Sequence, residues 1–370
     1  MMTSLSKQPR SWLDSRIPTR WIIQVVVAGL ALSPSLAAAH ARWFVDEAEQ
    51  PPTDWSRLIS VPVLIALLAG LSVVLVLAWL QRMIGDPLWP RPPFFQRLEP
   101  AAPAILGVQA AITLIFEASR LHLFAPNIDL PRNAFGVFLA MIAVVASFSF
   151  ITGVLTRLGA LAVIALWLLA FAYAPWEQVI EHILFVGIAI YLVAVGRGVV
   201  RYDTGRAEDR LPLTDRLLPH ALTILRVSAG ISVLVLGLTE KLINLELGEA
   251  FLRAYPQFNL GRELGLSWFT DRRFVEVVGI VEVVAGFALI CGFLPRLVIL
   301  ALWIPFNLGI AFLPPQELIG HLPILSTMYV LLVRGTEGVP PRDIAAEAAP
   351  PQRPAELAMP APPHSSPSRV

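Results

Sequence analysis

Apolar stretches at 58–80, 103–119, 134–155, 158–174, 178–196, 221–238, 275–294, 297–313 and 318–333 alternate with polar or proline-bearing segments. Most reach the roughly 17 to 25 residues that a helix needs to cross about 30 Å of hydrocarbon. The pattern therefore predicts an all-α integral membrane protein. Composition agrees: 56% of residues are hydrophobic and 15% charged, where a soluble domain carries about 25% charge. The formal net charge of +1 argues against a nucleic-acid partner. Cys291 is the one cysteine in the chain, so an intramolecular disulfide, a dithiol shuttle and a Cys-ligated cluster are all excluded within it.

The first 39 residues have the order of a secretory leader. Lys7, Arg10, Arg16 and Arg20 precede the apolar run Ile22 to Leu32, which a helix-breaking "SPS" and Ala37-Ala38-Ala39 follow. Cleavage there starts the mature chain at His40, on the outer side of a cytoplasmic membrane; an uncleaved anchor keeps the same topology. Arginines then mark the inner turns: Arg82, Arg91 and Arg97, then Arg157, then Arg197, Arg201 and Arg206, then Arg296, then Arg334. The short outer turns carry Glu177 and Glu317. Counted by short turns, this distribution places the mature amino terminus outside and the tail inside.

Residues 151–158 read "ITGVLTRL" and residues 290–297 read "ICGFLPRL". Carried along the chain without a gap, the offset of 139 superposes Gly153 on Gly292, Arg157 on Arg296, Pro175 on Pro314 and His182 on His321. A register shared by Gly, Arg, Pro and His predicts an internal duplication. Two four-helix units are expected, 103–198 and 221–335. Each has an even number of crossings, so the repeats are parallel, about an axis along the membrane normal. The remaining segments are 40–57 outside the membrane, an extra transmembrane helix at 58–80, cytoplasmic linkers at 81–102 and 199–220, and a Pro- and Ala-rich cytoplasmic tail at 336–370 that is expected to be disordered.

The second unit reads "LRVSAGISVLVLGLTEKL", "EVVGIVEVVAGFALICGFLPRL" and "PPQELIGHLPILSTMYVLLVRG". In these features it resembles the DoxX family of four-helix prokaryotic membrane proteins, and the first unit follows the same plan more loosely. The resemblance implies a subunit of a quinone-linked oxidoreductase or of a redox-defence complex in the inner membrane. It also implies a protein partner, with quinone as the electron acceptor.

A charge at bilayer depth costs about 2.5 to 3.5 kcal/mol or more, so it is normally aimed at a bundle interior. Glu282 lies six residues into its helix, with Gly279 and Gly286 on the same face. Asn307 and His321 stand at similar depth, seven residues before and after Pro314, and Glu240 and Lys241 end the first helix of the unit on that same side. A quinone head needs donors to its carbonyls, a proton carrier and apolar walls. Glu282 and His321 are the candidates for proton chemistry. Asn307, Glu240 and Lys241 are candidate binding groups, and Trp303 and Phe306 candidate walls. Only His182, Glu181 and Glu117 offer comparable groups in the first unit, which predicts that the second holds the site and the first serves as scaffold. The outer segment "GEAFLRAYPQF" is expected to form an interfacial helix over it. Two other readings stay open: a non-catalytic scaffold for a soluble oxidoreductase, and copper binding at an amino-terminal His40, whose amine and imidazole form a nitrogen chelate.

Overall fold

A computed structural model describes residues 41–45, 53–198, 212–310 and 315–336. The expected leader, His40 and the tail beyond 336 lie outside the described residues. The protein is all-helical, and no β-strand occurs among the described residues. Its main helices are α1 (Val61–Ile84), α2 (Ala102–Ala118), α3 (Ala134–Thr152), α4 (Thr156–Ala170), α5 (Trp176–Glu181) and α6 (Ile183–Val195) in the first half. The second half contributes α7 (Ala221–Leu236), α8 (Leu245–Ala254), α9 (Asp271–Cys291), α10 (Pro295–Ile310) and α11 (Pro315–Arg334). Among the described residues, five segments are long and apolar enough to cross a membrane: Val61–Ile84, Phe95–Ala118, Ala134–Thr152, Leu218–Ile243 and Asp271–Cys291. This fits a multi-pass membrane protein.

Local chemistry sets the helix ends. Asn133 caps α3 by accepting from the amides of Phe135 and Gly136, both at 3.0 Å, and Thr270 caps α9 through the amide of Arg273. These side chains satisfy amides that the first turn leaves without an intrahelical partner. α3 and α9 both stop at a left-handed glycine, Gly153 with φ 81° and Gly292 with φ 72°, the conformation that lets the chain turn out of a helix.

The local geometry recurs at the separation of 139 residues. Two leucines in the left-handed region, Leu155 (φ 52°) and Leu294 (φ 44°), follow those glycines, and Gly196 (φ 68°) and Gly335 (φ 69°) end the fourth helices. Arg157 Nε donates to Val193 O at 2.9 Å, and Arg296 Nε donates to Leu332 O at 2.8 Å. At Phe150 O and Leu289 O the donors differ: Arg197 serves the first and Arg226 the second. Each buried guanidinium thus covers carbonyls at a helix C-terminus, where the macrodipole favours a cation.

Packing between the halves is reciprocal, with α6 against α7 and α11 against α2. Small residues bring α7 and its continuation against α9: a Cβ at Gly230 would stand 2.8 Å from Gly286 O, and one at Gly237 would stand 2.8 Å from Glu282 Cβ. α1 lies on the outside of α9, with Val63 and Ala66 buried beside Val283 and Leu242. Its other face exposes Leu64, Leu68, Leu71 and Leu75, as a lipid-facing surface does.

Beyond the spans, Arg57 clasps the segment before α1 to α8. Its guanidinium makes paired hydrogen bonds to Glu246, at 2.7 and 2.8 Å. That fork holds the Glu246 carboxyl below its ordinary value.

Candidate functional site

The backbone hydrogen-bond ladders of both fourth helices are interrupted at the same level, although α11 continues as one helix. In the first half α5 ends at Glu181 and α6 starts at Ile183, with His182 between them at φ −97° and ψ 14°. In the second half Pro323 lies inside α11. Proline has no amide hydrogen, so it frees the carbonyl four residues earlier, which is that of Ile319. Thr113 on α2 donates its hydroxyl to Ile319 O at 2.7 Å. Reciprocally, Ser232 on α7 donates to Glu181 O at the other break. Each half thus satisfies the backbone group that the other leaves open. The sequence offered no obvious broken pair, because one interruption falls at a histidine and not at Gly or Pro. Interrupted helices in corresponding positions are a strong pointer to a binding site in a membrane protein.

A cavity of about 50 Å³ lies at these breaks. Glu181 and His182 come to it from the first half, Ser232, Glu282, Gly320 and His321 from the second, and Trp43, Phe124 and Phe185 supply aromatic walls. The site therefore spans both halves, and the expectation of a site confined to the second unit, with the first as scaffold, is corrected. His182 Nε2 lies 3.2 Å from Asn127 Oδ1. This partner was unforeseen, because it comes from an irregular loop. Glu117 is turned elsewhere: its carboxylate lies 3.1 Å from His122 Nδ1.

Glu240 and Lys241 sit on a π-helical continuation of α7, Gly237–Ile243. Such wide turns concentrate at functional sites, and this one buries Thr239, Glu240 and Lys241 together. Lys241 Nζ lies 3.0 Å from Glu282 Oε2. Glu240 Oε1 lies 3.7 Å from Arg42 Nε, and Thr239 Oγ1 lies 2.6 Å from Glu181 Oε1. Glu282, His321, Glu240 and Lys241 are thus brought together. Asn307 is not: it is exposed on α10 and donates to Trp303 O at 2.7 Å. The rotation of its helix turns it away. Trp303 packs with Leu297, Val298 and Leu302 in an apolar cluster and does not line the cavity. The side chain of Phe306 lies outside the described residues.

The turn Ala41–Trp43 covers the cavity. Trp43 stacks on His182 with ring centroids 6.4 Å apart at 25°, and Phe44 packs edge-on against Phe251 and Tyr255 of and after α8. The expected interfacial helix is α8, and it holds this covering segment. No metal-ligating group of three or more His, Cys, Asp or Glu residues occurs among the described residues.

These features fit a multi-pass helical membrane protein with a partly open cavity, lined by ionisable side chains, between its halves. Comparison with family models, curated proteins and solved structures returns no match.

Proposed function

We propose that the chain is a DoxX-like subunit of a quinone-linked oxidoreductase or redox-defence complex in a prokaryotic inner membrane, and that the cavity is where the quinone head is handled. The observation that supports this most is the meeting of His182, His321, Glu181 and Glu282 inside aromatic walls. Imidazoles supply hydrogen bonds to the ring carbonyls, and the carboxyls exchange protons as the ring is reduced. No electron-carrying group is built into the motifs of the chain, so the electrons come from a partner. A pocket for a small organic ligand usually measures about 300 to 1,000 Å³, far above the 50 Å³ found here. Entry of a ring therefore requires Trp43 to move off His182. Binding of a short-chain ubiquinone to purified protein tests the reading. Saturable binding lost in His182→Ala and in His321→Ala supports it, and binding indifferent to both removes it.

A second reading draws on the paired helix interruptions, which also mark carriers. Proton or small-ion flux through proteoliposomes in the absence of any quinone would favour it.

A further inference from the structure

We propose that Glu181 is the proton-carrying carboxyl of the cavity: it is held as the neutral acid, with Thr239 as the hydroxyl that switches when the proton leaves. This deepens the quinone reading, and rests on it only for the use to which the proton is put. Sequence reasoning points to Glu282 instead, but Glu282 is ion-paired with Lys241 at 3.0 Å, which favours its charged form.

Three observations single out Glu181. The first is a hydrogen count. Thr239 Oγ1 lies 2.6 Å from Glu181 Oε1 and 2.9 Å from Val235 O. A hydroxyl has one hydrogen to give. If Glu181 is ionised, two acceptors compete for that hydrogen and one contact is left empty. If Glu181 carries a proton, its O–H donates to Thr239, Thr239 donates to Val235 O, and both contacts are filled.

The second is the state of the other oxygen. Glu181 is 2% exposed, and its Oε2 is buried without a hydrogen-bond partner, a condition shared by both oxygens of Glu240 and by Oε2 of Glu282, which have Arg42 and Lys241 beside them. A buried charge left in that condition is far more costly than the carbonyl oxygen of a neutral acid.

The third is charge balance. The groups facing Glu181 are Arg42 from the amino-terminal turn, Glu240 and Lys241 from the π-helical turn, Glu282 from α9, His182 from the break and His321 from α11. Arg42 lies beside Glu240 and Lys241 beside Glu282. Among the described residues, Glu181, Glu240 and Glu282 therefore set three carboxyls against two cations, and with the imidazoles neutral one proton restores balance at Glu181, the acid of the three that makes no ion pair within 4.0 Å.

The exchange itself is balanced. The Glu181 O–H bond breaks and the proton passes to water in the cavity. The Thr239 hydrogen then rotates from Val235 O to the new carboxylate, and return of a proton from water reverses both moves. Glu181 lines the cavity, so water that enters when the covering turn opens reaches it.

Infrared difference spectroscopy of the full-length protein in lipid nanodiscs, at neutral pH and without quinone, reads this state directly. The expected result is a carbonyl stretch of a protonated carboxylic acid that disappears in Glu181→Gln and persists where an acid is removed together with its cation, in Arg42→Met/Glu240→Leu and in Lys241→Met/Glu282→Leu. Thr239→Val removes the acceptor without changing side-chain size much, and is expected to shift the band. Absence of the band in the wild type, its survival in Glu181→Gln, or its loss in either paired variant overturns the proposal. If Glu181→Gln does not fold, the Thr239→Val shift decides, and an unmoved band refutes it. Failure of quinone binding with the band intact removes only the quinone reading.

Discussion

Gly320 leaves the space that Trp43 fills, and adding one methyl group there is the sharpest test of the covering segment. A Cβ at 320 would stand 2.1 Å from Trp43 Cζ3 and 2.5 Å from Cη2. The indole is rigid and also stacks on His182, so any shift that relieves the clash disturbs that contact. Overpacking of this kind costs about 1 to 3 kcal/mol. The segment is held by the Trp43–His182, Phe44–Phe251 and Phe44–Tyr255 contacts, each worth about 0.5 to 1.5 kcal/mol. The methyl group therefore offsets a large share of the attraction. At 1.4 kcal/mol per factor of ten, the ratio of open to closed segment rises about 5- to 150-fold. α11 itself gains, since alanine is about 1 kcal/mol better than glycine inside a helix.

The assay is thiol labelling. Ala41 is 2% exposed, so Ala41→Cys in a Cys291→Ser background reacts with a maleimide only when the segment opens. Labelling then follows the open population, as for any local opening. The Gly320→Ala protein is expected to label about 5 to 150 times faster, with an unchanged unfolding temperature. An unchanged labelling rate in a folded Gly320→Ala protein refutes the reasoning.

Three further outcomes follow from the same structure. A topology reporter joined after Arg334 is expected to be active only in the cytoplasm, and periplasmic activity would overturn the nine-crossing arrangement read from the arginines. Lys241→Met strands the buried Glu282 carboxyl without its cation and is expected to cost up to about 3 to 5 kcal/mol, measured by thermal unfolding in detergent. Lys241→Met combined with Glu282→Leu should recover most of it, and additive losses would show that the two do not act as a pair. The Glu246 carboxyl is held below its ordinary value by Arg57, so the clasp contributes fully above the unfolded carboxylate value of about 4.3 and fades as pH falls through the lower folded value. Because both side chains are partly exposed, this amounts to about 0.2 to 1 kcal/mol, visible as a wild-type advantage over Arg57→Ala that vanishes in acid.

Helices were easy to find in the sequence, because the apolar runs and the Gly153 and Gly292 stops act within single segments. Each run overlaps a helix of the structure. The inward face of Glu282 was equally legible, since Gly279 and Gly286 mark where a neighbouring backbone comes close. Rotation and long-range pairing were not. α10 packs through Leu297, Val298 and Leu302 and presents Asn307 outward. Nothing in "GLTEKLI" separates a π turn from an α turn, because the widening is imposed by packing against α9. The partner of the Pro323 break, Thr113, lies 206 residues from the carbonyl it satisfies, beyond any window over which periodicity is read.

Comparing the halves position by position hid the site for a related reason. Glu181 and Gly320 occupy equivalent places at the 139-residue offset, and taken alone the difference looks like decay of one copy. Placed around a shared cavity, the two residues do complementary work. The acid places a carboxyl in the lining, and the glycine leaves the room that the indole of Trp43 takes up. An alanine at 320 would disturb the cover, and a glycine at 181 would remove the carboxyl. Divergence at this pair is therefore what an asymmetric site between two similar halves requires, and His182 and His321 keep their identity because both face the same chamber.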